Sequence, residues 1–243
     1  MRRSIASAIL IAACLGGVAA AQAPPPSPRA SAPVDLVGTW VSVVTEDWRW
    51  RMRTPPKGDL TSLPLTAAAI KMANAWDPAR DTAAGEQCRG YGAAGVMRLP
   101  GRIRFSWLND TTLRLETEAG AQTRLFQFGR RTTGAKPGWQ GTSTAEWQRA
   151  GARSGAARAG SLSVVTTNLR PGYLRKNGVP YSAEARLTEY FNVVTDATTN
   201  DTWLVLTSMV EDPQYLAVPR FVTSSHFKKV ADSPWNPTPC TAE

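Results

Sequence analysis

The sequence predicts an all-β domain, mainly antiparallel: a barrel or half-open barrel of about nine strands with one short helix, a β-sandwich being the alternative. Three observations predict it. Residues 186–230 read as three successive strands, with Leu187, Glu189, Phe191 and Val193 on one face and Arg186, Thr188, Tyr190 and Asn192 on the other. Ile103, Phe105 and Trp107 alternate with Arg102, Arg104 and Ser106 before a turn at Asn109-Asp110, and Leu113, Leu115 and Thr117 answer them, which is a hairpin pattern. Nowhere does the chain show the strand–helix–strand rhythm of a parallel sheet.

Residues 1–21 carry Arg2 and Arg3, an apolar run from Ile5 to Val18 and then Ala19-Ala20-Ala21, the form of a secretory signal with a small-residue cleavage site. The apolar run is shorter than the roughly 20 residues a membrane span needs, so the expected product is periplasmic or secreted, with no stable membrane span. Ile11-Ala12-Ala13-Cys14 also has the look of a lipoprotein box, which keeps anchoring at Cys14 as the minor alternative. Residues 22–35 hold too much Pro, Ala and Ser to bury anything and read as a disordered or extended tether. The single β domain is expected over 36–243.

The chain has 28 Lys+Arg against 19 Asp+Glu, and loss of Arg2 and Arg3 with the leader leaves 26 against 19. The excess is spread along strands, so it suits a solvated face better than a nucleic-acid footprint, and no nucleic-acid motif accompanies it. With Cys14 gone, Cys88 and Cys240 remain, an even pair in a compartment where disulfides persist, and they are expected to join. The tail from Pro234 to Pro239 can form neither helix nor inner strand, so this bridge would clamp it over the Gly-rich loop around Cys88.

In order along the domain, Gly38-Thr39-Trp40 opens a strand expected to run on through Trp48, Trp50 and Met52, alternating with Arg49, Arg51 and Arg53. Such a strand is either a core face backed by a solvated one or a cationic, aromatic rim around a pocket for an anionic or aromatic ligand. Gly-x-Trp at a first strand resembles the lipocalin signature, which implies a lipocalin-like barrel with Trp40 plugging one end. Thr66 caps the one expected helix, residues 67–76, and Asp77-Pro78 stops it. After the hairpin come strands ending at Phe128, with Arg124 on the row of Phe126, and at Trp147, beginning near Trp139. Gly151 to Gly160 is a loop, Ser161 to Leu169 another strand, and Asn177-Gly178 a turn. Trp203 to Val210 is almost continuously apolar, and Asp212-Pro213 ends it before the last strand, near Phe221.

From Cys88 onward, Glu116 with Arg124, Trp139-Gln140-Gly141-Thr142-Ser143 with Trp147, and the run SLSVVTTNLRPG set an order that continues through Gly178 and Ser182. Thr188-Glu189-Tyr190-Phe191 and Glu211-Asp212-Pro213-Gln214-Tyr215 with Pro219 complete it. Over about two thirds of its length the chain thereby resembles a broad group of exported bacterial proteins of unassigned activity. Relatives of that kind often have Gly-His-Ser where Gly141-Thr142-Ser143 stands, so no role of that histidine passes to this chain.

The chemistry is sparse. His226 is the single histidine, which argues against a zinc site or a Ser-His-Asp relay and for no metal or cofactor. Glu189 on an apolar row should find Arg124 or be neutralised, because a buried ionised carboxylate costs several kcal/mol unpaired. Two functions are expected on these grounds. In the first, a barrel cavity lined by Trp40, Trp48, Trp50, Trp107, Trp139 and Trp203, with Arg124 and Glu189, binds a small hydrophobic or aromatic molecule. In the second, a metal-independent isomerase, hydratase or lyase uses Glu189 as general acid or base beside Tyr190 and Arg124.

Overall fold

The computed structural model describes residues 24–129, 134–149, 160–231 and 234–243, so the leader, Cys14 and most of the Gly151 to Gly160 loop lie outside them. The alternating segments form β1 (Gly38–Val43), β2 (Arg102–Asn109), β3 (Thr112–Thr117), β4 (Thr123–Phe128), β5 (Thr142–Arg149) and β6 (Gly160–Thr167). After a hairpin of β7 (Gly172–Arg175) and β8 (Val179–Tyr181) come β9 (Arg186–Thr195), β10 (Thr202–Glu211) and β11 (Phe221–Val230). Nine strands close into a barrel in the order β1-β11-β10-β9-β6-β5-β4-β3-β2, and only β4 and β5 run parallel. A barrel, not a sandwich, is therefore the outcome, with no free sheet edge.

Inward rows obey the period of two. Phe105 of β2, Phe126 of β4 and Phe191 of β9 meet across the interior with ring centroids 5.5 to 6.4 Å apart, and so fill the middle of the barrel. Trp40 is fully buried against this cluster, its Nε1 donating to the Leu36 carbonyl at 2.9 Å. The Trp-rich faces thus pack on one another around a filled centre.

Strand directions give the barrel two unlike ends. At one, where β2 ends and β3 begins, Trp107, Phe128 and Trp147 cluster at 5.2 to 6.5 Å. The N-terminal segment closes it. Residues 24–35, expected as a loose tether, are docked here: the Pro28 carbonyl accepts from Trp147 Nε1 at 2.8 Å, the Ser31 carbonyl accepts from Arg149 at 2.7 Å, and Val34 packs on the core. Proline limits the entropy this segment loses on docking, which is the physical reason a Pro-rich stretch can bind a barrel end without secondary structure.

The other end is covered by a lobe of short elements. The one expected helix is joined by others: α1 (Trp48–Arg51), α2 (Ala67–Asn74), α3 (Pro78–Ala83), a 3-10 turn (Gln87–Tyr91) and α4 (Ala93–Val96). Thr66 caps α2 as expected, accepting from Ala69 N at 3.3 Å. α2 ends at Asn74, earlier than the expected stop at Asp77-Pro78, and that dipeptide opens α3 instead, because Asp77 accepts from two amides and proline fits the first helical turn. The expected long first strand stops at Val43: Asp47 takes a left-handed backbone (φ 52°) and residues 48–51 turn once as a helix. Asn177-Gly178 does mark a turn, that of the β7–β8 hairpin, where any Cβ on Gly178 would lie 2.2 Å from Trp76. A second apolar cluster, including Ala73, Ala93, Leu169, Tyr181, Leu187 and Leu216, joins this lobe to the barrel rim.

Cys88 and Cys240 form a disulfide, with Cα atoms 5.1 Å apart. The tail is strapped up the outside of the barrel on its way there. Arg102 donates to the Pro234 carbonyl, Arg104 lies over the Trp235 ring at 4.4 Å, and Glu118 accepts from Asn236 N and Thr238 N. No helix among the described residues is long and apolar enough to cross a membrane.

Candidate functional site

Two charged assemblies among the described residues bear on function, one sealed and one open. The sealed one is Arg124 with Glu189. Glu189 stands between Leu187 of the capped-end cluster and Phe191 of the barrel cluster, and both side chains of the pair are 0% exposed. Arg124 donates from two nitrogens to the two carboxylate oxygens, and also to Thr166 Oγ1 at 3.2 Å, which itself contacts Ser143 Oγ at 2.8 Å. The guanidinium lies 5.0 Å over the Phe126 ring. A fork-to-fork pair of this kind offsets the desolvation of both charges, and it divides the two apolar clusters by a polar layer. Tyr190 lies on the opposite face of β9, so the structure brings Arg124 and Glu189 together but not Tyr190 with them.

Asp212, at the exit of β10, accepts from Ser182 N and Oγ, Gln214 N and Tyr215 N, which makes it the knot of a turn. His226 contacts Glu46, Thr45 and Ser224 at 3.2 to 3.3 Å at the rim. Among the described residues no group of three or more His, Cys, Asp and Glu is placed to hold a metal ion.

The open assembly lines a cleft of about 420 Å³ at the capped end of the barrel. Its walls come from six separate stretches: α1 with the residues after it, Ser62-Leu63, the turn and helix around Tyr91 to Gly95, Arg98 to Pro100, Leu174 to Lys176 of β7, and the facing ends of β10 and β11. Ala119 and Thr238 complete it. Five basic side chains reach it, Arg51, Arg53, Arg98, Arg175 and Lys176, while Asp47 is the one carboxylate of the lining.

Partners decide what these charges can do. Arg51 is 2% exposed at its side chain; it donates to Glu46 and, through Nε, to the Arg98 carbonyl at 2.9 Å, while its Nη2 is buried without a partner. Burial, and then the neighbouring Arg98, push this guanidinium down to about 10. Arg98 binds Asp47 and the Ser224 carbonyl. Burial alone would raise the Glu46 carboxyl, but the Thr45 hydroxyl and then Arg51 hold it below its ordinary range. Arg175 touches only backbone oxygens, of Asp59 and Thr61 at 3.3 to 3.4 Å, and lies 5.4 Å over the Trp50 ring. Tyr91 is pressed against Gly120, where any Cβ would fall 2.3 Å from the ring and the backbone is left-handed (φ 73°). Its hydroxyl meets Lys176 Nζ at 3.0 Å and Thr241 Oγ1 at 3.2 Å. Burial alone would raise the phenol, yet these contacts hold it below the ordinary tyrosine range.

The eight residues named from sequence as ligand contacts do not converge. Trp50 lies on the cleft wall; Trp48 is 66% exposed beside it; Trp40 is core; Trp107 belongs to the aromatic plug at the far end. Trp139 sits under Arg170 at 4.2 Å, and Trp203 under Lys228 at 5.9 Å. Arg124 and Glu189 are sealed beneath the cap. Sequence reasoning pointed to Arg51 and Arg53 as a cationic rim near Trp50, but missed Arg98, Arg175, Lys176 and Tyr91, whose stretches gave no period or motif.

No protein-family model, no curated protein and no solved structure matches the chain. Fold and site together define a closed nine-stranded mixed barrel, plugged at one end and capped at the other, with a basic cleft opening through the cap.

Proposed function

We propose that the protein is an exported binding protein that takes a small molecule with an apolar or aromatic body in the cleft at the capped end of its barrel. The observation that carries this is the cleft itself. About 420 Å³ is within the range of small-molecule sites, and Trp50, Leu63, Leu174 and Val222 give it an apolar wall beside a few polar groups. The reading moves the ligand out of the barrel, whose middle is occupied by Phe105, Phe126 and Phe191. Export is supported by the form of residues 1–21 and by the Cys88–Cys240 bridge. The Arg124–Glu189 pair, closed off from the cleft, lends no support to the alternative in which Glu189 is a general acid or base.

A screen of fatty acids, terpenoids and aromatic acids by tryptophan fluorescence and thermal shift tests the proposal. Binding should change the emission of the natural chain and raise its melting temperature, and Trp50→Phe should remove most of the emission change while the thermal shift stays. A screen in which no compound alters either signal would sink it, as would an emission change that survives Trp50→Phe undiminished.

A further inference from the structure

The carboxylates around the cleft are already committed. Glu46 and Asp47 are taken up by Arg51 and Arg98, and Asp59 by Arg49 at 3.5 Å and by Trp50 Nε1 at 3.1 Å. Lys176 is tied to Tyr91, Thr241 and the Glu243 carbonyl. Two guanidinium groups of the lining are left, because among the described residues neither Arg53 nor Arg175 has a carboxylate within ion-pair distance. Arg53 is exposed and Arg175 half-buried. The second is the more telling. A half-buried guanidinium held only by backbone carbonyls and an indole face keeps unused donors, and its charge feels Asp59 and Asp47 only from beyond ion-pair distance.

We propose that the ligand of this cleft is an organic carboxylate with a hydrophobic body, its anionic head on Arg175 and Arg53 and its body along Trp50, Leu63 and Val222. This rests on the binding reading above and names the chemical class of its ligand. A carboxylate matches the planar fork of a guanidinium, so one group supplies both the missing charge and two acceptors. A neutral ligand of the same shape would leave Arg175 as it is, partly desolvated and without a direct ion-pair partner, and would gain only the apolar contact. Burial pushes the Arg175 guanidinium below its ordinary range, and the carboxylates of Asp59 and Asp47 offset this only in part. Met52 and Val222, both more than half exposed, extend the apolar wall to the mouth and leave room for a body longer than one ring.

The test uses the full chain and two matched pairs, dodecanoate with dodecanamide and 1-naphthoate with 1-naphthamide, by calorimetric titration and thermal shift. Each acid is expected to bind at least about tenfold tighter than its amide, the ratio a charge-assisted bidentate contact supplies. Raising the salt from about 0.05 M to about 0.5 M should weaken the acids and leave the amides unchanged. Arg175→Gln should remove the preference for acid without altering amide affinity, and Arg175→Lys should keep part of it. Should Arg175→Gln fail to fold, Arg53→Gln and the salt dependence decide. Equal affinity for acid and amide, or a loss of both alike in a folded Arg175→Gln chain, would overturn the carboxylate assignment and leave a binding cleft standing. If neither member of either pair changes heat or melting temperature, the binding reading itself fails with it.

Discussion

The two ends of the barrel are closed by different means, and among the described residues the cleft lies at the capped one. One end is shut by a single continuous segment, residues 24–37, laid over the Trp107, Phe128 and Trp147 cluster. The other is covered by short helices, a hairpin, a 3-10 turn and a tail that arrive from distant parts of the chain. Rings stacked under one strand of chain can pack to the density of a core. Elements that meet from six directions cannot all interdigitate, and the gap between them is the cleft. Between the two ends, Arg124 of β4 and Glu189 of β9 pair across the barrel interior under the cap.

Removing the bridge should separate the two ends most strongly. Cys88→Ser with Cys240→Ser is expected to lower stability by up to about 5 kcal/mol, the chain-entropy figure for so long a loop, in chemical denaturation. Hydrogen exchange should rise in residues 234–243 and around Tyr91 while the amides near Trp147 stay protected; uniform loosening would erase the contrast. Next comes the layer between. Glu189→Ala should cost about 3 to 5 kcal/mol by leaving Arg124 unpaired, and Glu189→Leu with Arg124→Met should recover much of it. A double variant no better than the single one would mean that the pair does more than satisfy its own charges.

A smaller effect belongs to the plugged end. Trp147→Phe keeps a ring but removes the donor to Pro28, so about 1 kcal/mol should be lost while affinity for the cleft's ligand is unchanged. The mildest is a pH effect at the capped rim. The Glu46 carboxyl titrates lower in the folded chain than in the unfolded one, so its contribution is complete above about pH 4.5 and drains away as pH falls through the folded value. Glu46→Gln should lower stability at neutral pH by less than about 1 kcal/mol, flatten the acid limb of a stability–pH curve, and leave the most acidic region, where the carboxyl is already protonated, unmoved.

The barrel was legible because most of its strands alternate, and the period of two is short enough to be seen in six residues. The same shortness misled at Trp48, Trp50 and Met52, where alternation with Arg49, Arg51 and Arg53 mimics a strand. In a single helical turn Trp48 and Met52 share a face as residues four apart, and only the left-handed backbone at Asp47 decides between the two readings. The Arg124–Glu189 pair was foreseen from burial cost alone, since a carboxylate between Leu187 and Phe191 needs a cation. The cleft was not, because its walls are contributed by residues as far apart as Trp50, Arg98, Arg175 and Val222, which only the folded chain assembles.

The tail strapped from Pro234 to Cys240 also bears on how long the folded molecule lasts. Its contacts with Arg102, Arg104 and Glu118 join β2 and the β3–β4 turn to residues that follow β11, so they are expected to form after β1 and β11 have paired. Interactions absent from the transition state leave the folding rate alone and slow unfolding, which is the definition of kinetic protection. A molecule so fastened lasts by the rarity with which it opens, whatever its equilibrium margin.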